Sequence, residues 1–439
     1  MSQSIENLKA QYNQIKQSGL NKINIKSGDI YPLIEQASNV SMFDVTEVGH
    51  SYQKRPVYQI KIGSGPVKIF MWSQMHGSEP TATASLFDLL NYLQSEQGDA
   101  WYQSWKNQVT LYLAPMINPD GAEQNMRYNA QGIDINRDAQ FFQSPEGVLL
   151  NKLADTIEPE FGFNLHDQHR FYSAGASDKT TTISLLAPPF NVDKDINETR
   201  KKSMQLIGLI NTDLQSQIPG CVGRYDDTYA PRAFGDLFMG KGISTVLFES
   251  GHARNDNNRQ TARWLTFMLI IRCVDNILAK NYESVSLDIY HSIPMNVNDA
   301  FADILLKNVN VAEQFKVDYA INFDAEFNNP RIHEVGDLSP LHGFETRDMS
   351  DYRLLESKGY PFDDSIILDD ALYLSILRDG YSYFIGDAEL LDNRTELPIT
   401  VQKQPETNGI PQRDGRVHMM FEKENKASLA LIDGQWVDF

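Results

Sequence analysis

The sequence is poor in cysteine and contains no long apolar run. Only two cysteines, Cys221 and Cys273, occur in 439 residues, so at most one disulfide can form, and we expect a buried pair of free thiols. No stretch approaches the ~20 apolar residues that a membrane-spanning helix needs. Low-complexity tracts and internal repeats are also absent. These absences exclude a disulfide scaffold, a membrane-embedded protein and a repeat protein.

The sequence also lacks an excess of basic residues. It carries 58 acidic and 39 lysine or arginine side chains, which gives a formal net charge of −19. An acidic surface repels nucleic-acid phosphates and anionic lipids, so we expect neither nucleic acid nor membrane as a partner. The segment Met1–Lys9 has no apolar core of the kind that a signal peptide requires, so a cytoplasmic location is expected. The oligomeric state stays open.

The patterning divides the chain into two regions. After two short amphipathic helices predicted within residues 1–40, short apolar strands alternate with helical patterns. This alternation is typical of an α/β fold with a mixed, mainly parallel sheet flanked by helices. Beyond about residue 290, short strand-like segments are separated by turns. We therefore predict an α/β domain over residues 1–290 and a smaller β-rich C-terminal domain over residues 291–439, whose role the sequence does not reveal.

One loop of the α/β region carries two side chains suited to metal binding. The apolar strand Val67–Trp72 ends before His76, and Pro80 is well placed to open a helix. His76 and Glu79 therefore lie in a strand-to-helix loop, which is where α/β proteins bind ligands. Zinc accepts an imidazole and a carboxylate three residues apart and needs one further protein ligand. By itself, the pair also fits a loop histidine beside a helix-capping glutamate.

Further polar side chains follow other predicted strands. An apolar strand over Val109–Met116 is followed by Asn118–Gly121, whose Asn-Pro-Asp-Gly sequence predicts a turn. Loops that follow strands in this way often carry functional residues. The positions in question are Arg127, Asn136, Arg137, His166 and Glu249.

In their order and spacing, these residues resemble the motifs of the zinc carboxypeptidases of the carboxypeptidase A type. The resemblance covers roughly residues 40–280, and its matching pieces are His76–Glu79, Asn118–Gly121, Arg127, Asn136–Arg137, Leu165–His166 and Phe248–Glu249. The resemblance implies that His76, Glu79 and His166 bind one zinc ion. Two histidines and a carboxylate leave a fourth position for a water molecule, which zinc would acidify.

The resemblance also implies roles for the catalytic side chains. Glu249 is expected to act as the general base that takes the water's proton, and its position at the end of an apolar strand predicts a raised pKa. The alternative for Glu249 is a structural ion pair. Arg127 is expected to stabilise the negative charge that develops on the scissile carbonyl oxygen.

Substrate-binding roles follow from the same resemblance. Asn136 and Arg137 are expected to bind the substrate's terminal carboxylate, because a guanidinium can bind a carboxylate with two hydrogen bonds. A surface salt bridge with Asp134 or Asp138 is the alternative for Arg137. The family also has a mobile tyrosine that closes over the substrate.

Two departures or ambiguities accompany the resemblance. Both Tyr225 and Tyr229 fit the position of the mobile tyrosine, and we favour Tyr229. Ser78 stands where larger digestive members of the family have an arginine, which removes a secondary contact and not a metal ligand.

The leading hypothesis is a zinc-dependent metallocarboxypeptidase that hydrolyses the C-terminal peptide bond of peptides, with Glu249 as general base. A zinc amidohydrolase or deacylase acting on an acylated amino acid or a modified small peptide would use the same groups. A catalytically inactive peptide-binding module is the third alternative, but it would have little use for Glu249 and Arg127. The side-chain preference at the cleaved residue stays open.

Overall fold

The structure, a computed structural model, describes residues 3–256, 258–312, 315–323, 330–405 and 409–439. The chain divides into two compact units, Met1–Asn298 and Asp299–Phe439. The boundary proposed from the sequence lies a few residues before this division. Cys221 and Cys273 are both free thiols, and only Cys273 is fully buried. Within the described residues, no helix has the length and apolar character needed to cross a membrane.

The first unit combines helices and strands in alternation. Its helices are α1 (Ile5–Ile15), α2 (Ser27–Ser38), α3 (Thr81–Leu93), α4 (Glu96–Trp105), α5 (Pro119–Gln124), α6 (Pro145–Ile157), α7 (Glu198–Gln217), α8 (Phe234–Gly240), α9 (Gln260–Ala279) and α10 (Leu287–Ser292). Its strands are β1 (Phe43–His50), β2 (Pro56–Gly63), β3 (Val67–Ser73), β4 (Val109–Ala114), β5 (Phe161–Asp167), β6 (Ser173–Ala174), β7 (Ile183–Leu186), β8 (Val222–Arg224), β9 (Ser244–Ser250) and β10 (Asn296–Val297).

One mixed sheet organises this unit. Its strands run in the order β1-β2-β4-β3-β5-β9-β7-β8. The central neighbours β4, β3, β5 and β9 are parallel, whereas β1 with β2, β2 with β4, and β7 with β9 are antiparallel. Every residue of β5 and β9 is buried, as expected for parallel strands covered by helices on both faces. The predicted α/β class with a mixed, mainly parallel sheet is confirmed.

The two faces of the sheet are covered by separate apolar cores, and successive side chains of the central strands point to opposite faces. Phe161, Phe163 and Leu165 of β5 join one apolar cluster, whereas Phe70 and Trp72 of β3 join the other. This separation follows from the two-residue period of a strand. Because both faces are covered, the central strands are fixed in place, and their carboxyl ends present polar residues at one edge.

Helix starts in this unit follow local sequence signals, with one correction. Ser144 caps α6 by accepting from the backbone N–H of Gly147, as its serine-proline start predicts. The predicted turn at Asn118–Gly121 is wrong, because these residues begin helix α5. The Asn118 side chain accepts from the Gly121 N–H. Pro119 lies in the first helical turn, where a backbone N–H has no acceptor within the helix, so the missing N–H of proline costs nothing.

A buried ion pair fastens the N-terminal segment to the sheet's helices. The Arg263 guanidinium in α9 donates to both carboxylate oxygens of Asp88 in α3, at 2.8 and 2.6 Å. Arg263 also donates to the backbone carbonyls of Gln17 and Leu20, and Asp88 accepts from the Tyr12 hydroxyl. The pair is almost fully buried, at 1% and 0% side-chain exposure. The charges are therefore compensated by each other and by the N-terminal segment.

The second unit is rich in strands, as predicted. Its strands are β11 (Phe301–Ala312), β12 (Phe315–Phe323), β13 (Pro330–Gly336), β14 (His342–Asp348), β15 (Arg353–Leu354), β16 (Lys358–Pro361), β17 (Ile366–Leu368), β18 (Tyr381–Ile385), β19 (Leu391–Asn393), β20 (Val401–Gln402), β21 (His418–Lys423), β22 (Lys426–Ile432) and β23 (Gln435–Asp438). Its largest sheet has the order β13-β12-β11-β15-β21-β22-β23, with β14 paired to β11. This unit also contains the helix α11 (Asp370–Arg378), which the expectation of strands separated by turns did not include.

We predict that Asp88→Asn destabilises the first unit by about 3–5 kcal/mol, because the substitution leaves the Arg263 charge buried and unpaired. Urea unfolding followed by tryptophan fluorescence measures this, since four of the five tryptophans lie in the first unit. Glu198→Gln is the control. It removes an exposed ion pair with Lys201 and should cost less than about 1 kcal/mol. Equal small effects of both substitutions would contradict the account.

Candidate metal centre and substrate cavity

Three neighbouring strands deliver the candidate site residues to one edge of the sheet. The loop after β3 carries His76 and Glu79, whereas His166 and Glu249 lie within the last residues of β5 and β9. His166 and Glu249 are direct partners in the parallel pairing of β5 with β9. The register alone therefore places an imidazole beside a carboxylate.

Two glycines allow the loop that carries His76 and Glu79 to approach α5. A Cβ atom added to Gly77 would lie 2.0 Å from the backbone carbonyl carbon of Gly121, so the two backbones are in direct contact. The buried Gln74 side chain donates to the Gly77 carbonyl at 2.9 Å and holds the loop from the other side. Only a glycine at position 77 permits this packing, which explains why glycine follows His76.

The three predicted metal ligands converge on one point. His76 Nδ1 lies 2.8 Å from Glu79 Oε1, His166 Nδ1 lies 2.7 Å from Glu79 Oε2, and the two Nδ1 atoms are 3.2 Å apart. One potential ligand atom from each residue falls within 4.8 Å of the others. Ligands about 2.0–2.2 Å from a tetrahedral zinc ion lie roughly 3.3 Å apart, so this donor set fits zinc.

The charge states of Glu79 and His166 also suit metal binding. Burial alone would raise the pKa of Glu79, but the neighbouring His76 and His166 hold it well below its usual range. Burial lowers the pKa of His166, and the nearby Glu79 only partly offsets this effect. An ionised carboxylate and a neutral imidazole are the forms that bind a metal ion.

Asp134 is a partner of the candidate ligands that the sequence interpretation missed. Its Oδ1 lies 3.1 Å from His76 Nε2, and its Oδ2 accepts from Arg127 Nε at 2.9 Å. A carboxylate on the outer nitrogen of a metal-binding histidine fixes the ring and directs the other nitrogen to the metal. From the sequence, Asp134 is named only in the alternative that pairs it with Arg137 in a surface salt bridge.

Arg127 brings a positive charge to the same point. Its Nη1 lies 3.1 Å from His76 Nδ1 and 3.5 Å from Glu79 Oε1. The ion pair with Asp134 limits the guanidinium's freedom. The structure therefore holds a fixed cation beside the candidate metal ligands, as the predicted role requires.

Asn136 and Arg137 lie on a single helical turn, Ile135–Arg137, at the cavity wall. The Asn136 side-chain oxygen accepts from the Phe234 N–H at 3.0 Å, and Asn136 Nδ2 lies 3.4 Å from His166 Nε2. Arg137 is exposed and donates to the backbone carbonyl of Asn136 at 2.6 Å. Among the described ion pairs, Arg137 forms no salt bridge with Asp134 or Asp138, so that alternative is not adopted.

Glu249 lines the cavity with only 8% of its surface exposed. Burial raises its pKa well above the usual range, and the negative charges of Glu79 and Asp167 add to the effect. The upward pKa shift expected from the sequence is confirmed. A glutamate with a raised pKa is a stronger base once it is ionised.

Asp167 and Arg259 complete the charged surroundings, and the sequence interpretation missed both. The Asp167 backbone N–H donates to Glu79 Oε2 at 3.2 Å, while its side chain accepts from Thr81 and from Arg259, at 2.7 Å in each case. Arg259 follows His166 by more than ninety positions in the chain, so no local motif connects them. The pairing of the buried Asp167 with Arg259, at the start of helix α9, is therefore visible only in the folded structure.

The candidate ligands, Glu249 and the charged and polar residues around them line one cavity of about 450 Å³, whereas Asp134 lies behind the lining. Tyr225 lines it, whereas Tyr229, which is also in the described part of the chain, is not among the lining residues. The Tyr225 N–H donates to the Leu185 carbonyl at 3.0 Å, which continues the pairing of β8 with β7 and brings Tyr225 to the cavity. Tyr229 lies further along the irregular segment that follows β8. The placement favours Tyr225 as the tyrosine that closes over the substrate. The sequence alone favours Tyr229 instead.

We predict that Asp134→Asn lowers zinc affinity about 10- to 100-fold, because His76 loses the carboxylate that orients it. Titration against a competing fluorescent chelator measures the change. His252→Asn is the control, since His252 lies outside the ligand cluster. Unchanged affinity in Asp134→Asn, or an equal loss in the control, would argue against this arrangement.

Comparisons with known proteins identify the same family in part of the chain. The zinc carboxypeptidase family model matches residues 34–171. Carboxypeptidase SOL1 from Arabidopsis thaliana is 33% identical over 114 residues, which is 24% of this chain and 23% of that protein. A probable carboxypeptidase 2 from Arthroderma benhamiae is 28% identical over 102 residues, covering 23% of this chain and 19% of that protein. These alignments thus span about a quarter or less of each relative.

Among solved structures, a metallo-carboxypeptidase from Burkholderia cenocepacia aligns at 18% identity with a TM-score of 0.47. The alignment covers 58% of this chain and 70% of that one. The family match contains His76, Glu79, Arg127, Asn136, Arg137 and His166 but ends before Glu249, whose assignment therefore rests on the geometry. The zinc carboxypeptidase family model thus matches the part of the first unit that carries most of the motifs on which the resemblance rests.

Proposed function

We propose that the first unit is a zinc-dependent metallocarboxypeptidase, which hydrolyses the last peptide bond of a peptide. One observation carries this proposal. The candidate metal ligands, the buried Glu249 and the two residues suited to a terminal carboxylate, Asn136 and Arg137, all line the same cavity. A hydrolytic centre and a carboxylate-binding group within reach of one another are what an exopeptidase requires.

His76, Glu79 and His166 would hold one zinc ion. When bound, zinc supplies a Lewis acid that polarises the scissile carbonyl and makes a water molecule more acidic at neutral pH. The protein's contribution is to orient the ligands. Asp134 orients His76, and the Asp167 N–H orients the Glu79 carboxylate.

Glu249 is the proposed general base. Its carboxylate accepts a proton from the attacking water and then gives that proton to the nitrogen of the departing residue. Burial and the nearby carboxylates raise its pKa, so the ionised form takes up the water's proton more readily. The partner position across the strand pair holds His166, so the base lies next to the metal ligands.

Arg127 is proposed to stabilise the oxygen of the scissile carbonyl as negative charge develops there. The guanidinium is held beside the metal ligands by Asp134 and needs little reorganisation when the charge forms. Such preorganised charge is typically worth a few kcal/mol of the barrier, by analogy with single oxyanion donors that contribute about 3–4 kcal/mol.

Asn136 and Arg137 are proposed to bind the terminal carboxylate. Arg137 is exposed and lines the cavity, and among the described residues its guanidinium donates only to the Asn136 carbonyl, which leaves donors for a planar anion. Tyr225 is proposed as the residue that closes over the bound peptide, because it lines the cavity and its hydroxyl lies 3.4 Å from that of Tyr172. This assignment replaces Tyr229.

We predict that the zinc-loaded protein releases single C-terminal residues from peptides with a free carboxylate and that Glu249→Gln lowers this rate by at least about 100-fold. Mass spectrometry of a mixed peptide set reads the products. Glu47→Gln, a change at an exposed glutamate, should leave the rate unchanged. Release of a fatty or other acyl group from N-acylated amino acids, without action on peptides, would instead establish the amidohydrolase alternative.

We further predict that Arg137→Gln lowers kcat/KM on free-acid peptides about 10- to 100-fold, since a charge-assisted pair with the terminal carboxylate is lost. The same peptides with C-terminal amides should be poor substrates for both proteins. Arg232→Gln is the matched control, because Arg232 is exposed and is not among the cavity-lining residues that the structure describes. Equal cleavage of acids and amides by the wild type would remove the proposed role of Arg137.

A further inference from the structure

The floor of the cavity is built by one row of the central sheet. Asn164 in β5 pairs with Leu247 in β9, and Leu247 pairs with Leu186 in β7. These positions precede His166 and Glu249 by two residues on β5 and β9. Since side chains two residues apart point to the same face, this row lies about 7 Å deeper on the face that carries the candidate catalytic groups.

Helix α8 closes this floor from the side and leaves room at its first turn. A Cβ atom on Gly235 would lie 3.1 Å from Pro188 Cγ and 3.5 Å from Asn164 Nδ2. The glycine therefore keeps the space between Pro188 and Asn164 open. Apolar walls come from Leu186, Pro188 and Leu247, all of which line the cavity.

Asn136, which is proposed to bind the terminal carboxylate, is hydrogen-bonded to the helix that borders this floor. The Asn136 side chain accepts from the N–H of Phe234, the residue before Gly235. A terminal carboxylate bound at Asn136 and Arg137 therefore places the side chain of the last residue above Gly235 and Asn164. Both residues belong to the same cavity.

Two polar groups on this floor have unused hydrogen-bonding capacity. Asn164 is 2% exposed, and its Oδ1 has no hydrogen-bond partner among the described residues. Asp236 is 8% exposed, and its Oδ1 accepts from the Ala230 N–H at 2.8 Å. None of the described salt bridges involves Asp236. A buried acceptor without a donor is costly, so Asn164 Oδ1 would gain from a donor on a ligand. Asp236 would gain from a cationic donor, because its carboxylate has no ion-pair partner among the described salt bridges.

We propose that this floor selects peptides whose last residue carries a hydrogen-bond donor at the end of an apolar stem. The inference rests on the proposed carboxypeptidase function and names its substrate class. Leu186, Pro188 and Leu247 contact the stem, and Asn164 and Asp236 accept from the end group. Glutamine, asparagine, lysine and arginine share this chemistry, and long side chains with a polar head bury their stems in this manner.

The two acceptors differ in charge and therefore in the donors that they prefer. Asn164 pairs with a neutral amide or with a cation, whereas the Asp236 carboxylate has no cation at contact distance among the described ion pairs and favours lysine or arginine. Burial raises the pKa of Asp236 to about 7, and this effect outweighs the backbone hydrogen bonds and the charges of Arg137 and Arg200, which act in the opposite direction. Apolar residues of the same size leave both acceptors without a donor from the ligand.

The experiment compares peptides that differ only in the last residue, in two matched pairs: glutamine with methionine, and lysine with norleucine. The zinc-loaded wild type should show kcat/KM about 10-fold or more higher for glutamine than for methionine, and for lysine than for norleucine. Asn164→Leu, which keeps the size and removes the acceptor, should bring the glutamine-to-methionine ratio close to one. Asp236→Asn should lower the lysine-to-norleucine ratio about 10-fold.

Asn276→Leu is the matched control, since it makes the same change at a buried asparagine of α9 that does not line the cavity and should keep both ratios. Each ratio is taken within one protein, so differences in folded fraction cancel. Wild-type ratios near or below one overturn the proposal without any variant. Unchanged ratios in both Asn164→Leu and Asp236→Asn also overturn it.

A second readout separates this inference from the proposed function. Zinc-loaded Glu249→Gln should bind the glutamine and lysine peptides about 10-fold more tightly than the methionine and norleucine peptides in calorimetric titrations. Binding selectivity without turnover in the wild type would contradict the carboxypeptidase function and keep the floor's preference. Turnover with no such preference, in rate or in binding, would contradict only the inference.

Discussion

The carboxylate of Glu79 between the rings of His76 and His166 is the interaction on which the rest of the site depends. Its two oxygens lie 2.8 and 2.7 Å from the two Nδ1 atoms, in surroundings that are almost closed to solvent. A lone carboxylate buried there would be protonated or expelled. The histidines, together with the Asp167 N–H, keep it ionised and fix the three potential ligand atoms at one point.

The fold supports this point from three directions. Parallel pairing of β3, β5 and β9 brings the ends of the three strands together and places Glu249 opposite His166. Direct backbone contact at Gly77 holds the loop against α5. Charges of both signs then surround the cluster, with Arg127 bound to Asp134 on one side and Arg259 bound to Asp167 on the other. A basic carboxylate and fixed cations can therefore coexist within one small cavity.

The sequence predicted the parts of the site that depend on local order. His76, Glu79, His166 and Glu249 each follow or end an apolar strand, and the carboxyl ends of parallel strands in an α/β sheet meet at one edge, so their convergence is predictable from the order of the elements alone. The raised pKa of Glu249 followed from the apolar character of its strand. The class of the fold was likewise legible in the alternation of strands and helices.

The remaining parts depend on contacts between distant segments. Nothing in the sequence around Arg259 indicates that it reaches Asp167. The preference for Tyr225 over Tyr229 rests on which of them lines the cavity, and Tyr225 is brought there by a backbone hydrogen bond to Leu185 in another strand. Asn118 illustrates a different limit, because the same residues that favour a turn also favour the start of a helix. Tertiary packing decides between the two.

The most direct test of the account is X-ray diffraction from crystals grown with zinc, with data collected on both sides of the zinc absorption edge. The account predicts one anomalous peak per chain, about 2.0–2.2 Å from His76 Nδ1, His166 Nδ1 and the Glu79 carboxylate. It further predicts that the Glu249 carboxylate faces this peak across the cavity. A zinc peak on other residues, or none at these three under saturating zinc, would contradict the central claim that the ends of β3 and β5 form one metal centre beside Glu249.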